Sequence, residues 1–217
     1  VKLLFSSQTY GPLDPQAVRS QRAAIMHAAK HAGVVWMGDC SPDRQAFAVA
    51  RNRTADAAVN MEECEGVFWC DSDVVLPVDA ISRLVSHQKD FVTGIYFQRE
   101  PPHWPLIATF NEKAKSFNWL VQWPENALAP IDGCGFGCVF TSTRLLRALA
   151  PPWFEYKQFS EDFTFCRNAA EAGYQLWVDT GVLCGHLPDP EPVTFDTFKN
   201  AHPEFYARGE GGPHVSV

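Results

Sequence analysis

A short apolar run ending in two carboxylates limits this chain's possible folds more than any other feature. Val67-Phe68-Trp69-Cys70 has Gly66 before it and Asp71-Ser72-Asp73 directly after it. Four apolar residues are too few for a buried helix and match a strand covered on both faces. In extended or turn geometry residues i and i+2 point the same way, so Asp71 and Asp73 can share one target. Two carboxylates held that close repel, and burying either without a counter-charge is costly. A hard divalent cation, Mn²⁺ or Mg²⁺, resolves the conflict, because such ions take oxygen ligands from one or two carboxylates and from substrate phosphates. Open α/β sheets bind ligands at the carboxyl ends of their strands, which is where this pair falls. The competing reading is that the two acids merely open a surface turn before Pro77.

The surrounding pattern supplies the sheet. Strands are expected over residues 2–6, 34–37, 67–70 and 91–96, and helices over 15–31, from Ser41-Pro42 to Met61, and over 77–87. At Ser41-Pro42 the serine would cap and the proline take the first helical position. Strand and helix in alternation predict a mostly parallel sheet flanked by helices. Beyond residue 99 the character changes. A proline-rich loop (99–105) precedes two antiparallel strands (106–110 and 116–121), then comes a loop (123–130) and the glycine run Gly133, Gly135, Gly137. Helices follow over 142–149 and 160–172, the second closed by Gly173, with strands at 174–178 and 182–184. Phe195, Phe198 and Phe205 would anchor a tail rich in proline, glycine and charge.

With 217 residues, 46% hydrophobic and 20% charged, the chain reads as one globular domain with a sizeable core. A net charge of −7 argues against a broad basic face for nucleic acid. No apolar run is long enough for a membrane span, and no signal peptide opens the chain. Its seven cysteines are odd in number and irregularly spaced, which predicts free thiols in a reducing, cytoplasmic setting. Cys134 and Cys138 enclose Gly-Phe-Gly and have no partner pair, so a zinc site is not expected. There is no phosphate-binding P-loop, no nucleophile elbow and no helix-opening dinucleotide fingerprint.

Three further groups can carry chemistry. Ser160-Glu161-Asp162 can be a plain helix start, with acids favoured at the positive end of the helix. It is also a second acidic pair in the half that would face the first, where a carboxylate could serve as a general base. His186, after Gly185 at a strand end, is either a structural histidine or a third ligand for Mn²⁺. In Arg51-Asn52-Arg53, Arg53 fits a solvated helical face, while Arg51 or Asn52 could reach a nucleotide at the sheet edge.

Together these positions resemble the GT-A fold glycosyltransferases, closest in style to small family 2-like enzymes and with virus- or phage-type relatives in view. Asp71-Ser72-Asp73 matches the D-x-D motif, Gly133 to Gly137 the glycine loop, Ser160-Glu161-Asp162 the x-E-D motif, and His186 the C-terminal histidine. Ala50-Arg51-Asn52 resembles the A-R-N element upstream. The resemblance implies an α/β fold with a Rossmann-like sheet and a small antiparallel acceptor-side portion. Residues 1–188 would be the domain, 1–98 its nucleotide-sugar half and 99–188 its catalytic half, with 189–217 as the tail. It also implies a nucleotide-sugar donor, a UDP-sugar, bridged by Mn²⁺ or Mg²⁺. Asp73 and His186 would be direct ligands, and Asp71 would hold the ribose or reach the metal through water.

Asp162 would then be the base of an inverting transfer, ionised by the helix end, with Glu161 orienting the acceptor or loop. Ser6, Gln8, Tyr10, Arg51 and Ser72 would line the nucleotide, and Gly133 and Gly135 would admit the sugar. Aromatic loops at 96–104 and 123–130 would wall an acceptor hydroxyl on a glycan, a small molecule or a modified nucleobase in DNA. A nucleotidyltransferase on a similar sheet is the alternative, although Ser6-Ser7-Gln8-Thr9-Tyr10-Gly11 lacks its basic glycine loop; a non-catalytic nucleotide- or sugar-binding module is another.

Overall fold

The computed structural model describes residues 1–9, 13–42, 44–187, 193–205 and 215–216. Its first half runs β1 (Lys2–Gln8), α1 (Pro15–His31), β2 (Val35–Asp39), α2 (Phe47–Asn60), β3 (Gly66–Asp71), β4 (Val74–Val75), α3 (Ala80–Ser86) and β5 (Phe91–Ile95). Helix α1 opens with Pro15 at its first position, while the Asp14 side chain accepts from the Gln16 and Ala17 amides. Helix α2 starts later than the Ser41-Pro42 signal predicts. The Ser41 hydroxyl donates to the Asp39 carboxylate and accepts from the Ser7 amide, and the helix begins after Ala46 with no side-chain cap.

The second half contains β6 (Ile107–Asn111), β7 (Ser116–Trp119), β8 (Leu128–Ile131), β9 (Gly133–Cys134), β10 (Cys138–Ser142), α4 (Thr143–Ala148), α5 (Glu161–Glu171), β11 (Leu176–Leu183), β12 (Gly185–His186), α6 (Phe195–Ala201) and β13 (Val215–Ser216). The two strands expected over 174–184 are one continuous β11, whose register against β5 shifts between Val178 and Leu183.

Seven strands form the central sheet in the order β2-β1-β3-β10-β5-β11-β8. Strands β2, β1, β3, β5 and β11 run the same way, and β10 and β8 oppose them. Strand β10 separates β3 from β5, which the alternating pattern alone would have placed side by side. A smaller antiparallel sheet, β13-β7-β6-β9, lies on the second half, and β12 pairs with β4 as a short ribbon.

Strand β3 shows why its sequence is uninterrupted by polar residues. Val67 and Trp69 enter one hydrophobic cluster with Phe91, Phe136, Phe154 and Phe165, while Phe68 and Cys70 enter another with Phe5, Val92 and Cys138. Alternate side chains therefore fill cores on both faces of the sheet. All seven cysteines are free and six are buried. Phe198 is fully buried and Phe205 nearly so. Among the described residues no helix is long and apolar enough to cross a membrane.

Candidate active site

The short ribbon brings two distant motifs together. Strand β12 pairs antiparallel with β4, setting His186 opposite Val74, and the Leu187 amide donates to the Asp73 carbonyl at 2.9 Å. The Phe97 carbonyl can only accept, so its 2.6 Å contact fixes His186 Nδ1 as the donor. The other nitrogen, Nε2, is thereby aimed at Asp73 Oδ2, 3.5 Å away. Arg99 Nη1 lies 3.2 Å from the same oxygen. Burial raises the Asp73 carboxyl, but His186 and Arg99 outweigh it and hold the group below the ordinary aspartate range.

This donor set fits a divalent cation. The Asp73 carboxylate offers an oxygen ligand and the His186 imidazole a nitrogen one, while Arg99 holds the same oxygen and is the cation that a metal would displace. Among the described residues no three His, Cys, Asp or Glu side chains form a ready metal cage. A cation here would complete its shell with phosphate and water.

Asp71 faces a different partner. Arg51 Nη2 donates to Asp71 Oδ1 at 3.0 Å, and Nη1 donates to Glu161 Oε1 at 2.6 Å. The guanidinium is buried with Phe47, Phe136 and Phe154 rings around it, and its Nε has no partner among the described residues. Burial opposes its charge, yet Asp71, Asp162 and Glu161 outweigh burial and raise its pKa. Burial raises the Asp71 carboxyl despite Arg51. Arg51, expected at the nucleotide, thus joins the two acidic motifs. Asn52 bridges to the backbone of Phe154, and Arg53 is exposed.

Asp162 sits at the second position of α5. Its Oδ1 accepts from the Phe163 amide at 2.8 Å and from the Ser160 hydroxyl. Ser160 occupies the cap position but gives the helix no side-chain cap bond. Burial raises the Asp162 carboxyl, opposed chiefly by Arg51, so desolvation rather than the helix end decides the direction. Tyr156 is exposed, and burial, with the neighbouring Glu161 carboxylate adding to it, raises its phenol.

The remaining expected residues divide. Ser6 is fully buried, its hydroxyl donating to the Cys40 carbonyl at 2.7 Å and meeting Thr54 Oγ1 at 3.0 Å. It faces the interior rather than the cleft. Gln8 pairs in register with Asp71, and its Oε1, like the Ser7 hydroxyl, is buried without a partner among the described residues. Ser72 lies in the turn between β3 and β4. Tyr10 lies outside the described residues.

Gly133, Gly135 and Gly137 have an internal reason to be glycine. A Cβ on Gly135 would stand 2.1 Å from the Tyr96 hydroxyl, one on Gly137 2.7 Å from the Tyr96 ring, and one on Gly133 2.6 Å from Phe117. The Gly137 amide also donates to the Tyr96 hydroxyl at 3.1 Å. In the loops expected as acceptor walls the backbone stays largely at the surface, with Arg99 to Pro102 and Pro124 to Asn126 exposed, while the aromatic side chains pack against the chain. Tyr96 is buried, Trp104 stacks on His202 with centroids 4.4 Å apart, and Trp123 stacks on Phe198 at 6.2 Å. Sequence reasoning passed over Arg99 and Tyr156, because a lone arginine or tyrosine in a loop carries no spacing signal.

The mostly parallel seven-stranded sheet and its flanking helices match the GT-A fold, as the similarity to solved structures shows. Protein A197 from STIV superposes with a TM-score of 0.60 at 17% identity, covering 91% of this chain and 92% of that one. GalNAc-T7, solved with UDP, GalNAc and Mn²⁺, superposes with a TM-score of 0.62 at 10% identity, covering 86% of this chain and 44% of that longer one. The inositol-1-phosphate CTP transferase from T. maritima reaches a TM-score of only 0.45, too low to support its activity here. No family model matches the chain, and no curated protein matches its sequence.

Proposed function

We propose that this chain is a glycosyltransferase that moves a sugar from a nucleotide-diphosphate donor, a UDP-sugar, to a hydroxyl acceptor, with inversion and with Mn²⁺ or Mg²⁺ bound. The observation that carries the reading is the meeting of Asp73 with His186 across the β4–β12 ribbon, beside a second acidic pair tied to Asp71 through Arg51. Asp73 and His186 would hold the cation, which when bound supplies Lewis-acid neutralisation of the diphosphate. Arg99, half exposed at Asp73, adds a cation where that leaving group would lie. The Gln8 Oε1 and Ser7 hydroxyl at the end of β1, without a partner among the described residues, suit a nucleoside's polar groups.

Asp162 is the proposed base. One of its carboxylate oxygens already accepts two hydrogen bonds. The other can take the acceptor proton as the hydroxyl oxygen attacks the anomeric carbon and the diphosphate departs. Glu161, tied to Arg51, keeps that edge of the cleft in place. The free thiols support a reducing, cytoplasmic setting, and residues 1–188 are taken as the functional domain.

The test is thermal unfolding with a panel of nucleotide sugars in Mn²⁺ and in EDTA, since a ligand of the folded state raises apparent stability. A metal-dependent rise with UDP-sugars supports the reading. Equal shifts in EDTA, or none with any donor, would oppose it, and a donor-hydrolysis assay separates an enzyme from a binding module.

A further inference from the structure

Beside the proposed base lies a recess of about 230 Å³ walled by Phe117, Trp119, Phe159, Ser160 and Phe163. We propose that it is the acceptor subsite and that it takes the ring of a neutral sugar, an inference that rests on the transferase reading.

Position is the first support. Strand β7 supplies Phe117 and Trp119, and the start of α5 supplies Phe163. Ser160, exposed at the rim, hydrogen-bonds the Asp162 carboxylate. A ring seated here would hold its hydroxyls beside that carboxylate. Shape is the second. Pockets for drug-sized ligands run to roughly 300–1,000 Å³, so this smaller recess suits one six-membered ring. Its walls meet edge to face, with Phe117–Phe163 centroids 4.6 Å apart and Trp119–Phe163 5.7 Å apart. Phe117, Trp119 and Phe163 are buried and form its floor, and the partly buried Phe159 supplies the ring surface on which the apolar face of a sugar would lie, its hydroxyls left to the rim. Gly133 belongs to the same construction, because a Cβ there would strike both Phe117 and Phe163.

Charge selects the sugar over a nucleic acid. The cations around the neighbouring recess each face a carboxylate: Lys115 with Glu112, Lys157 with Glu155, and Arg167 with Glu112 and Glu171. Among the described residues the positive charge lining that recess is balanced, whereas a phosphate backbone is bound by a surplus of it. A neutral ring needs none.

Saturation-transfer NMR on the full chain tests this with methyl glycosides of glucose, galactose, mannose and N-acetylglucosamine, and with a single-stranded thymidine oligonucleotide. At least one glycoside is expected to bind through its ring protons, and Phe159→Ala should weaken it about three- to tenfold while Phe159→Trp restores it. Phe159 is only partly buried, and Phe159→Leu provides a second truncation if Phe159→Ala unfolds. No glycoside binding, undiminished binding in the folded truncation, or tighter binding of the oligonucleotide would overturn the subsite. Mn²⁺ binding in the presence of UDP is measured on the same samples. If it persists where glycosides fail, only the subsite is wrong; if wild type binds no Mn²⁺, the transferase reading itself fails.

Discussion

Arg51 Nη1 donates to Glu161 Oε1 at 2.6 Å across 110 residues of chain, and its other terminal nitrogen holds Asp71. One buried guanidinium therefore fixes the acids ending β3 against the acids opening α5. Removing it leaves Asp71 and Glu161 without their counter-charge, and Asp162 without its main stabilising neighbour. Arg51→Leu should cost about 3–5 kcal/mol, the usual penalty for breaking a buried pair.

The pH dependence of that loss has a definite sign. Without Arg51, the Asp71 and Asp162 carboxyls rise further above their unfolded values, so the folded variant keeps protons that the unfolded chain has released. Stability then falls as pH rises through the folded pKa values and is recovered below them. Melting curves of wild type and Arg51→Leu at about pH 5 and about pH 8 should show the gap narrowing in acid. A gap that widens in acid would contradict the clamp.

Asp162→Asn keeps the shape and hydrogen bonds of the side chain but removes its basicity. Transfer should fall by about two to four orders of magnitude, with donor and Mn²⁺ affinity unchanged. Because burial raises this carboxyl, wild-type turnover should decline on acidification above the ordinary aspartate range. Near-normal turnover in Asp162→Asn removes the base assignment.

Tyr96 and the glycine run should couple. Gly135→Ala sets a methyl group 2.1 Å from the Tyr96 hydroxyl, with the ring carbon next at 2.9 Å. Overpacking of this kind costs about 1–3 kcal/mol. Tyr96→Phe removes the nearest atom but also the acceptor of the Gly137 amide, so the double variant should lose less than the sum of the two single losses. Simple addition of the two losses would show that the contact is not what excludes a side chain at Gly135.

Local pattern made much of the fold legible. The unbroken apolar run at β3 announced a strand buried on both faces, and the strand–helix alternation announced the sheet. The insertion of β10 between β3 and β5 was not legible, because strand order is set by long-range pairing that leaves no local period. At the site, the two acidic motifs and His186 stood out by residue type and by their position at strand and helix ends. Arg51 stood out too, but its partners did not, since a guanidinium can serve a phosphate or a carboxylate equally well. The glycine run was visible while its cause, Tyr96, was not: a missing Cβ leaves room without saying what fills it. Trp104 and Trp123 were expected to face an acceptor, but α6 and His202 cover them. The recess proposed for the acceptor is lined by Phe117, Trp119 and Phe159, residues that carried no such signal in the sequence.

His186→Ala should bind Mn²⁺ more than about tenfold more weakly while remaining folded, and wild-type affinity should fall in acid because a metal-binding imidazole must be neutral. Its Nδ1 anchor on the Phe97 carbonyl contributes one buried hydrogen bond, so the stability loss should be small beside the loss of metal. Unchanged Mn²⁺ affinity in the folded variant would make His186 a structural residue.

The most direct test is calorimetric titration of UDP into wild type and Asp73→Ala, each with Mn²⁺ and with EDTA. The Asp73–His186 pair predicts that wild type binds UDP with Mn²⁺ and loses it in EDTA, and that Asp73→Ala binds more than about tenfold more weakly with Mn²⁺ present. UDP binding that is equal in EDTA and Mn²⁺, or unchanged in Asp73→Ala, would contradict a metal-bridged donor site.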